Sequence, residues 1–380
     1  MKLLDGILVL DFAQYLAGPW AASKLGDLGA RVIKIERHNG GDKSRTLSLC
    51  NLYVDGDSTF YQGMNRNQEG YAANMRDPKE LEKIKKLIAQ ADVIIENFRP
   101  GIMEQIGIGY EDVKKYNPGI VYSSVTGYGT TGPLVKKPGQ DLIVQCMSAL
   151  PWLSGNKDDN PVPMGIAVAD MFTAMNSIEG ILAALFRRTI TGEGAHIEAS
   201  LLESCLDLQF EPITTFFQNG NQIQERSAVN NAHAYLPAPY GVYETANSYM
   251  AIAMGSIIKL GELLKCEPLT LYTDEQEWFT KRDEIKQILA NHLLTGSTEQ
   301  WLEILEAADF WAGRVNTIED VIKDPVLSAD MFQEVYRQNG SVMKTTRSPL
   351  RINGNPLFAS KGAPRLGEDT EKIDQEFHLI

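Results

Sequence analysis

Along the first half of the chain, short apolar runs of strand length alternate with stretches whose apolar residues recur at helical spacing. Ile7 to Phe12 predicts a buried strand. Ala17 to Leu28 predicts a helix entered through Ala17-Gly18-Pro19, where Pro19 suits the first turn. Arg31 to Glu36 reads as a second strand. Asp77 to Ala91 reads as a helix starting at Asp77-Pro78, with Leu81, Ile84, Leu87 and Ile88 on one face; Val93 to Asn97 and Val121 to Thr126 follow as further strands. Strands alternating with helices imply an α/β fold in which a mostly parallel sheet is covered on both faces.

The longest helical pattern starts near Asp170. An apolar segment, Met164 to Ala169, precedes it, and Met171, Met175, Ile178, Ile181, Leu182 and Leu185 recur at helical spacing as far as Arg187 and Arg188. Asp170 therefore stands at or beside a helix N-terminus. Two roles fit that place: an N-cap accepting N–H bonds of the first turn, or a nucleophile facing an apolar cavity. The dipole and free N–H groups of the helix start predict an ionised carboxylate in either role. Asp207 to Phe217 continues as an apolar helix, and the polar stretch Gln218 to Asn231 marks a boundary. Beyond it, a short strand at Tyr249 to Ala253 and amphipathic helices at Trp278 to Leu294 and Thr298 to Ala308 suggest a smaller mixed domain.

Composition narrows the chemistry. At 380 residues, about two domains are expected, and no run approaches the roughly 20 apolar residues of a membrane span. Asp5 and Asp11 interrupt the N-terminal apolar run, which reads as a strand; a cytoplasmic protein is expected. The net charge of −13 argues against nucleic acid and against an anionic membrane as partners. The 4 cysteines and 5 histidines are scattered without ligand spacing, so no metal site is expected. Lys34, Arg37, Lys43 and Arg45 form a cationic cluster that suits an anionic small ligand or a solvated loop. Glu36 ends the second strand, where a dinucleotide-binding acid often sits, but Gly18 alone cannot replace a GxGxxG turn. The glycine-dense loop Thr126 to Pro133, TGYGTTGP, follows the fourth strand, the end at which open parallel sheets bind ligands.

Taken together, GILVLDFAQYLAGP (Gly6 to Pro19), GARVIKIER (Gly29 to Arg37), NRNQEG (Asn65 to Gly70), ADVIIENFRPG (Ala91 to Gly101), TGYGTTGP, the Asp170 stretch, TGEGAHIEASLLES (Thr191 to Ser204), GRVNTIEDVIKDP (Gly313 to Pro325) and APRLGE resemble, in order, the class III CoA-transferases. This is the CaiB/BaiF family of formyl-CoA transferase and the carnitine CoA-transferases, with the alpha-methylacyl-CoA racemases as relatives. The resemblance implies a Rossmann-like large domain over residues 1–200, completed by 350–380, a linker over 201–230, a small α+β domain over 231–312 and a return linker over 313–349. It also implies a homodimer of two subunits interlocked as rings. The family's catalytic aspartate falls on Asp170, and its CoA contacts on Tyr15, Arg37, Ala73 and Asn97, with backbone N–H groups of Gly127 to Gly132, among them Gly127 and Gly129, as candidate oxyanion donors. Leu16, Gln140 and Asp141 are placed beside the acyl or acceptor pocket. Acyl-CoA and a carboxylic acid are the implied substrates, with no tightly bound cofactor.

Departures from the family pattern refine the expectation. Gln68 stands where the NRNK motif has lysine and Gln105 where formyl-CoA transferase has arginine, which predicts two fewer cationic CoA contacts. Leu16 replaces a glutamine, and with Met147, Trp152 and Met171 it suits a bulkier, more apolar acyl group than formate or oxalate. The racemases carry His-Asp where this chain has Gln140-Asp141, and an amide does not exchange a proton at neutral pH, which disfavours an epimerase. A non-catalytic CoA-binding protein is the remaining alternative, disfavoured by an intact Asp170.

Overall fold

The computed structural model describes residues 2–379. The fold opens with strand β1 (Leu8–Asp11), helix α1 (Ala17–Asp27) and strand β2 (Arg31–Glu36). Strand β3 (Glu69–Ala72), helix α2 (Pro78–Ile88) and strands β4 (Val93–Glu96) and β5 (Val121–Thr126) follow. Helices α3 (Asp141–Met147) and α4 (Val168–Thr191), strand β6 (Ala195–Ser200) and helix α5 (Leu201–Leu208) complete this part. The six strands pair in the order β3-β2-β1-β4-β5-β6, every pair parallel.

Alternation along the strands explains the two covered faces. Val9, Val32, Val93 and Ile95 pack with Ala21 and Leu25 of α1 and Ile178 and Ile181 of α4, whereas Leu10, Ile33, Ile35 and Ile94 pack with Ile84, Leu87 and Ile88 of α2. Asp77 starts α2 by accepting the N–H of Lys79 at 2.8 Å, with Pro78 at the first helical position.

Strands β3 and β6 were not predicted from the pattern, because both are edges of the sheet and neither is a continuous apolar run. The C-terminal segment covers β3: Gly70 N–H donates to Asp369 Oδ2 at 2.9 Å, and Ala72 N–H to Thr370 Oγ1 at 3.0 Å. A side chain at Gly70 would put its Cβ 2.7 Å from the Arg365 carbonyl oxygen, so glycine permits the approach.

By contacts the chain forms two compact units, one of Met1–Val144, Ile166–Leu208 and Ser328–Ile380, the other of Gln145–Gly165 and Gln209–Leu327. The second has a three-stranded antiparallel sheet of Gly241–Glu244, Tyr249–Ile252 and Ala312–Arg314. Its core joins Met250 and Ile252 to Leu260, Ile285, Leu289 and Leu305 of the surrounding helices.

Helix α4 corrects one expectation: its 24 residues are long and apolar enough, by length and composition, to cross a bilayer. Ala174, Ile178 and Ile181 are instead buried against Ile95 and Val121, which makes it the core helix of the sheet.

Candidate active site

Parallel pairing carries the C-terminal ends of all six strands to one edge of the sheet. Tyr15 lies in the loop after β1, Arg37 directly follows β2, Ala73 follows β3, Asn97 follows β4, and Gly127 follows β5. The order reverses between β1 and β4, and the crevice at such a reversal is where open α/β sheets bind ligands. Asn97 spans it: its Oδ1 accepts the Gln14 N–H at 2.7 Å and its Nδ2 donates to the Gln14 carbonyl at 2.6 Å. Half of the hydrogen-bonding capacity of this amide, one donor and one acceptor site, is thereby used in holding the Tyr15 loop.

Helix α4 starts at the same edge. Ala169 is fully buried in a small apolar cluster with Ala17, Val125, Val144 and Leu201. Ala167 occupies the N-cap position and Asp170 is the third helical residue, so Asp170 does not cap the helix. Asp141, the first residue of α3, does so from a distant segment. Its Oδ1 accepts the N–H of Ala169 at 2.8 Å and of Asp170 at 3.2 Å. With these N–H groups taken, the half-buried carboxylate of Asp170 accepts no hydrogen bond from the described residues. Burial foremost, and then the Asp141 carboxylate, push its pKa up to about 7. The expected fully ionised carboxylate is corrected: the N–H groups of Ala169 and Asp170 bond to Asp141 instead, and desolvation and a like charge raise the pKa of Asp170. At neutral pH Asp170 is divided between its two forms.

The glycine loop after β5 is shaped by close backbone approach. A Cβ on Gly127 would lie 2.6 Å from the Cα of Gly139, so two backbone segments touch there and leave no room for a side chain. Gly129 has φ +84° and donates its N–H to Thr126 Oγ1 at 2.9 Å, so that N–H already has a partner. Gln140, exposed, immediately precedes α3.

The cationic cluster read from the sequence divides in two. Lys34 is fully buried, 3.1 Å from both Asp11 and Asp42, and Arg45 is buried between Glu36 and Asp57. Neither is available to a ligand. Arg37 and Lys43 are exposed, and Arg37 donates to the Gly41 carbonyl at 3.2 Å without an ion pair among the described residues. Gln68 is also displaced from the expected role. It is buried just before β3, five residues and so roughly 16 Å of strand from Ala73, away from the ligand edge. Gln105 is exposed. Leu16 and Ala73 are buried, while 44% of Tyr15 is exposed. Leu16 and Met171 belong to the first unit, Met147 and Trp152 to the second.

Sequence reasoning missed Glu96, the last residue of β4. It is buried, accepts the Phe98 N–H at 2.8 Å, and has its pKa raised to about 7 by burial. A carboxylate ending an apolar strand, next to Asn97, was the available signal.

The sequence profile of CoA-transferase family III matches residues 4–370. The chain belongs to CoA-transferase family III. This CoA-transferase is 32% identical to the succinyl-CoA:glutarate CoA-transferase of Mus musculus, over 99% of its own length and 86% of the relative's. It is 32% identical to the succinate–glutarate CoA-transferase of Agrobacterium fabrum (99% and 96%) and 30% identical to the acetyl-CoA:oxalate CoA-transferase of Acetobacter aceti (98% and 95%). Its fold matches the crystal structure of a CAIB/BAIF family protein from Brucella suis with a TM-score of 0.84 and 31% identity, covering 99% of both chains. The protein is an enzyme, a CoA-transferase, and CoA thioesters are its substrates.

Proposed function

We propose that the enzyme moves CoA from an acyl-CoA to a free carboxylic acid through covalent intermediates on Asp170. The observation that carries this reading is a carboxylate at the start of α4 whose helix N–H groups are already bonded by Asp141, leaving its oxygens unengaged at the ligand edge. The ionised carboxylate attacks the donor thioester carbonyl, the C–S bond breaks, and an acyl-aspartyl anhydride and CoA thiolate result. The thiolate is a tolerable leaving group, since thiols ionise near about 8.5. It next attacks the aspartyl carbonyl, forming an aspartyl-CoA thioester and freeing the donor acid. The acceptor carboxylate attacks that thioester, re-forming an anhydride and thiolate. Attack of the thiolate on the acceptor's acyl carbon then yields the new acyl-CoA and restores Asp170. Protons balance throughout, so no separate acid or base is required.

Tyr15, Arg37, Ala73 and Asn97, on one sheet edge, support a CoA site there, with Arg37 free to meet a phosphate through its guanidinium. Leu16, beside the site, and Met171, next to Asp170, favour an acid with a longer carbon chain than oxalate. Succinate and glutarate, the acids in the names of the relatives above, have such chains. The cytoplasm is the proposed location. The working form is a dimer of interlocked subunits, supported by uncovered apolar residues of α4: Phe186 is 70% and Ile190 74% exposed.

The test has two parts. Enzyme incubated with succinyl-CoA and then hydroxylamine is expected to carry a hydroxamate on the peptide containing Asp170. Mass spectrometry of mixtures pairing acetyl-, succinyl- and branched or aromatic acyl-CoAs with carboxylic acids is expected to show exchange that requires both partners. Exchange of the α-hydrogen with deuterated solvent in the absence of an acceptor acid would point instead to an epimerase.

A further inference from the structure

Four successive backbone N–H groups of the loop between β1 and α1 are hydrogen-bonded, three of them to distant residues. Phe12 N–H donates to the Ile95 carbonyl at 2.8 Å, Ala13 N–H to Asp11 Oδ1 at 2.9 Å, and Gln14 N–H to Asn97 Oδ1 at 2.7 Å. Tyr15 N–H donates to Asp42 Oδ1 at 3.1 Å, and the Ala13 carbonyl accepts from Lys34 Nζ at 2.8 Å. The conformation so held is one the chain would not choose. Tyr15 has φ +66°, a region that disfavours a bulky side chain and persists only where the surroundings over-determine it.

At the centre of these bonds stands Lys34, with no solvent exposure, 3.1 Å from Asp11 Oδ2 and 3.1 Å from Asp42 Oδ2. Buried charges are costly relative to apolar side chains, and their best-attested benefit is to specify one conformation. Asp42 also reaches the neighbouring loop: it accepts the Ser44 N–H at 2.8 Å and donates its own N–H to Glu36 Oε1 at 2.8 Å. One carboxylate thus ties the Tyr15 loop to the loop carrying Arg37 and Lys43.

We propose that Lys34, with Asp11 and Asp42, is a positioning residue for acyl-CoA binding, a buried clamp that holds Tyr15 in its strained conformation and fixes the two CoA-edge loops to each other. The clamp acts through Tyr15 and Arg37 and does not touch the substrate. It rests on the reading that the Tyr15 loop lies against the acyl-CoA.

The experiment compares Asp42→Ala, Asp42→Asn, Tyr15→Ala and Ile84→Val in steady-state kinetics, CoA titration calorimetry and thermal melting. Asp42→Ala removes the acceptor of both loops and is expected to raise KM for acyl-CoA and Kd for CoA roughly tenfold, with kcat within about threefold. Asp42→Asn keeps an oxygen for the Tyr15 and Ser44 N–H groups and is expected to recover most of that loss. Ile84→Val, a truncation in the core under α2, lowers the melting temperature and leaves KM unchanged. Should Asp42→Ala not fold, Lys34→Met combined with Asp11→Asn, which removes one charge of each sign, is read in the same way. Unchanged KM and Kd in folded Asp42→Ala, or an equal rise in Ile84→Val, overturns the clamp. If Tyr15→Ala also leaves KM and Kd unchanged, the failure lies with the reading of the CoA edge; if Tyr15→Ala raises them and Asp42→Ala does not, it lies with the clamp alone.

Discussion

Of the two roles that the sequence leaves open for Asp170, the cap is taken by Asp141. Asp141 accepts the N–H groups of Ala169 and Asp170, and the carboxylate of Asp170, the proposed nucleophile, lies in a site that raises its pKa from 3.8 to about 7. In free enzyme, kcat/KM is therefore expected to rise with pH and level off above an apparent pKa near 7, because only the ionised form attacks. Asp141→Asn retains an oxygen for the cap and loses the like charge, so the acid limb is expected to move to lower pH; an unmoved limb would show that the Asp141 charge has no part in it. Stability carries the opposite sign. Between pH 3.8 and about 7 native Asp170 holds a proton that the unfolded chain has released, so its effect is to lower stability progressively as pH rises through that window. Asp170→Asn is expected to fold, bind CoA and lack transferase activity. Its gain in stability over wild type should grow from pH 5 to pH 8, to on the order of 2–4 kcal/mol, read from melting curves at the two pH values. Full transferase activity in that variant would exclude Asp170 as nucleophile.

Elements matter here through their ends. Helix α4 closes with Gly192 at φ +73°, whose N–H returns to the Arg188 carbonyl at 2.8 Å, and it opens on the Asp141 cap. Asp141→Ala, unlike Asp141→Asn, leaves the first-turn N–H groups of Ala169 and Asp170 without that acceptor, and a loss of about 1 kcal/mol is expected in denaturant unfolding. The loop after β5 is constrained by close backbone contact as well as by hydrogen bonds. At Gly127 the atom a Cβ would meet is the backbone of Gly139, 2.6 Å away, which cannot move aside as a side chain can. Gly127→Ala should therefore displace the loop and lower kcat by at least roughly tenfold, whereas Gly132→Ala meets open space and tests only the strain of its φ of +87°. Equal kinetics for Gly127→Ala and wild type would show that the loop does not shape the site.

At the scale of the whole molecule, the C-terminal segment ties the two ends of the chain together. Arg337 joins Asp55 and Asp57, and Asp369 pairs with Gly70, so the last residues seal the edge strand of a sheet begun by the first. If each subunit is a ring, as the proposed interlocking requires, a second ring threaded through it would not be released without unfolding. If the subunits are interlocked as proposed, dilution in analytical ultracentrifugation is expected to leave the dimer intact, and dissociation should coincide with loss of secondary structure in denaturant. A folded monomer appearing reversibly on dilution would contradict interlocking and leave the fold and the site chemistry standing.

The apolar pattern determined the α/β class and the four inner strands, because buried parallel strands leave continuous apolar runs and Asp77-Pro78 and Gly18-Pro19 mark helix starts. The ordered motifs determined the family, and the long helical pattern after Asp170 located the helix that carries it. Strands β3 and β6 stayed hidden because edge strands take part of their stability from neighbours, in β3 from Asp369 and Thr370, far off in sequence. Four cations close together in sequence became two buried braces and two exposed groups only when Asp11, Asp42, Glu36 and Asp57 folded around them. The protonation of Asp170 was likewise a tertiary outcome. A local pattern records which backbone groups bond to near neighbours, whereas desolvation and the approach of a second carboxylate depend on which distant segments pack against them.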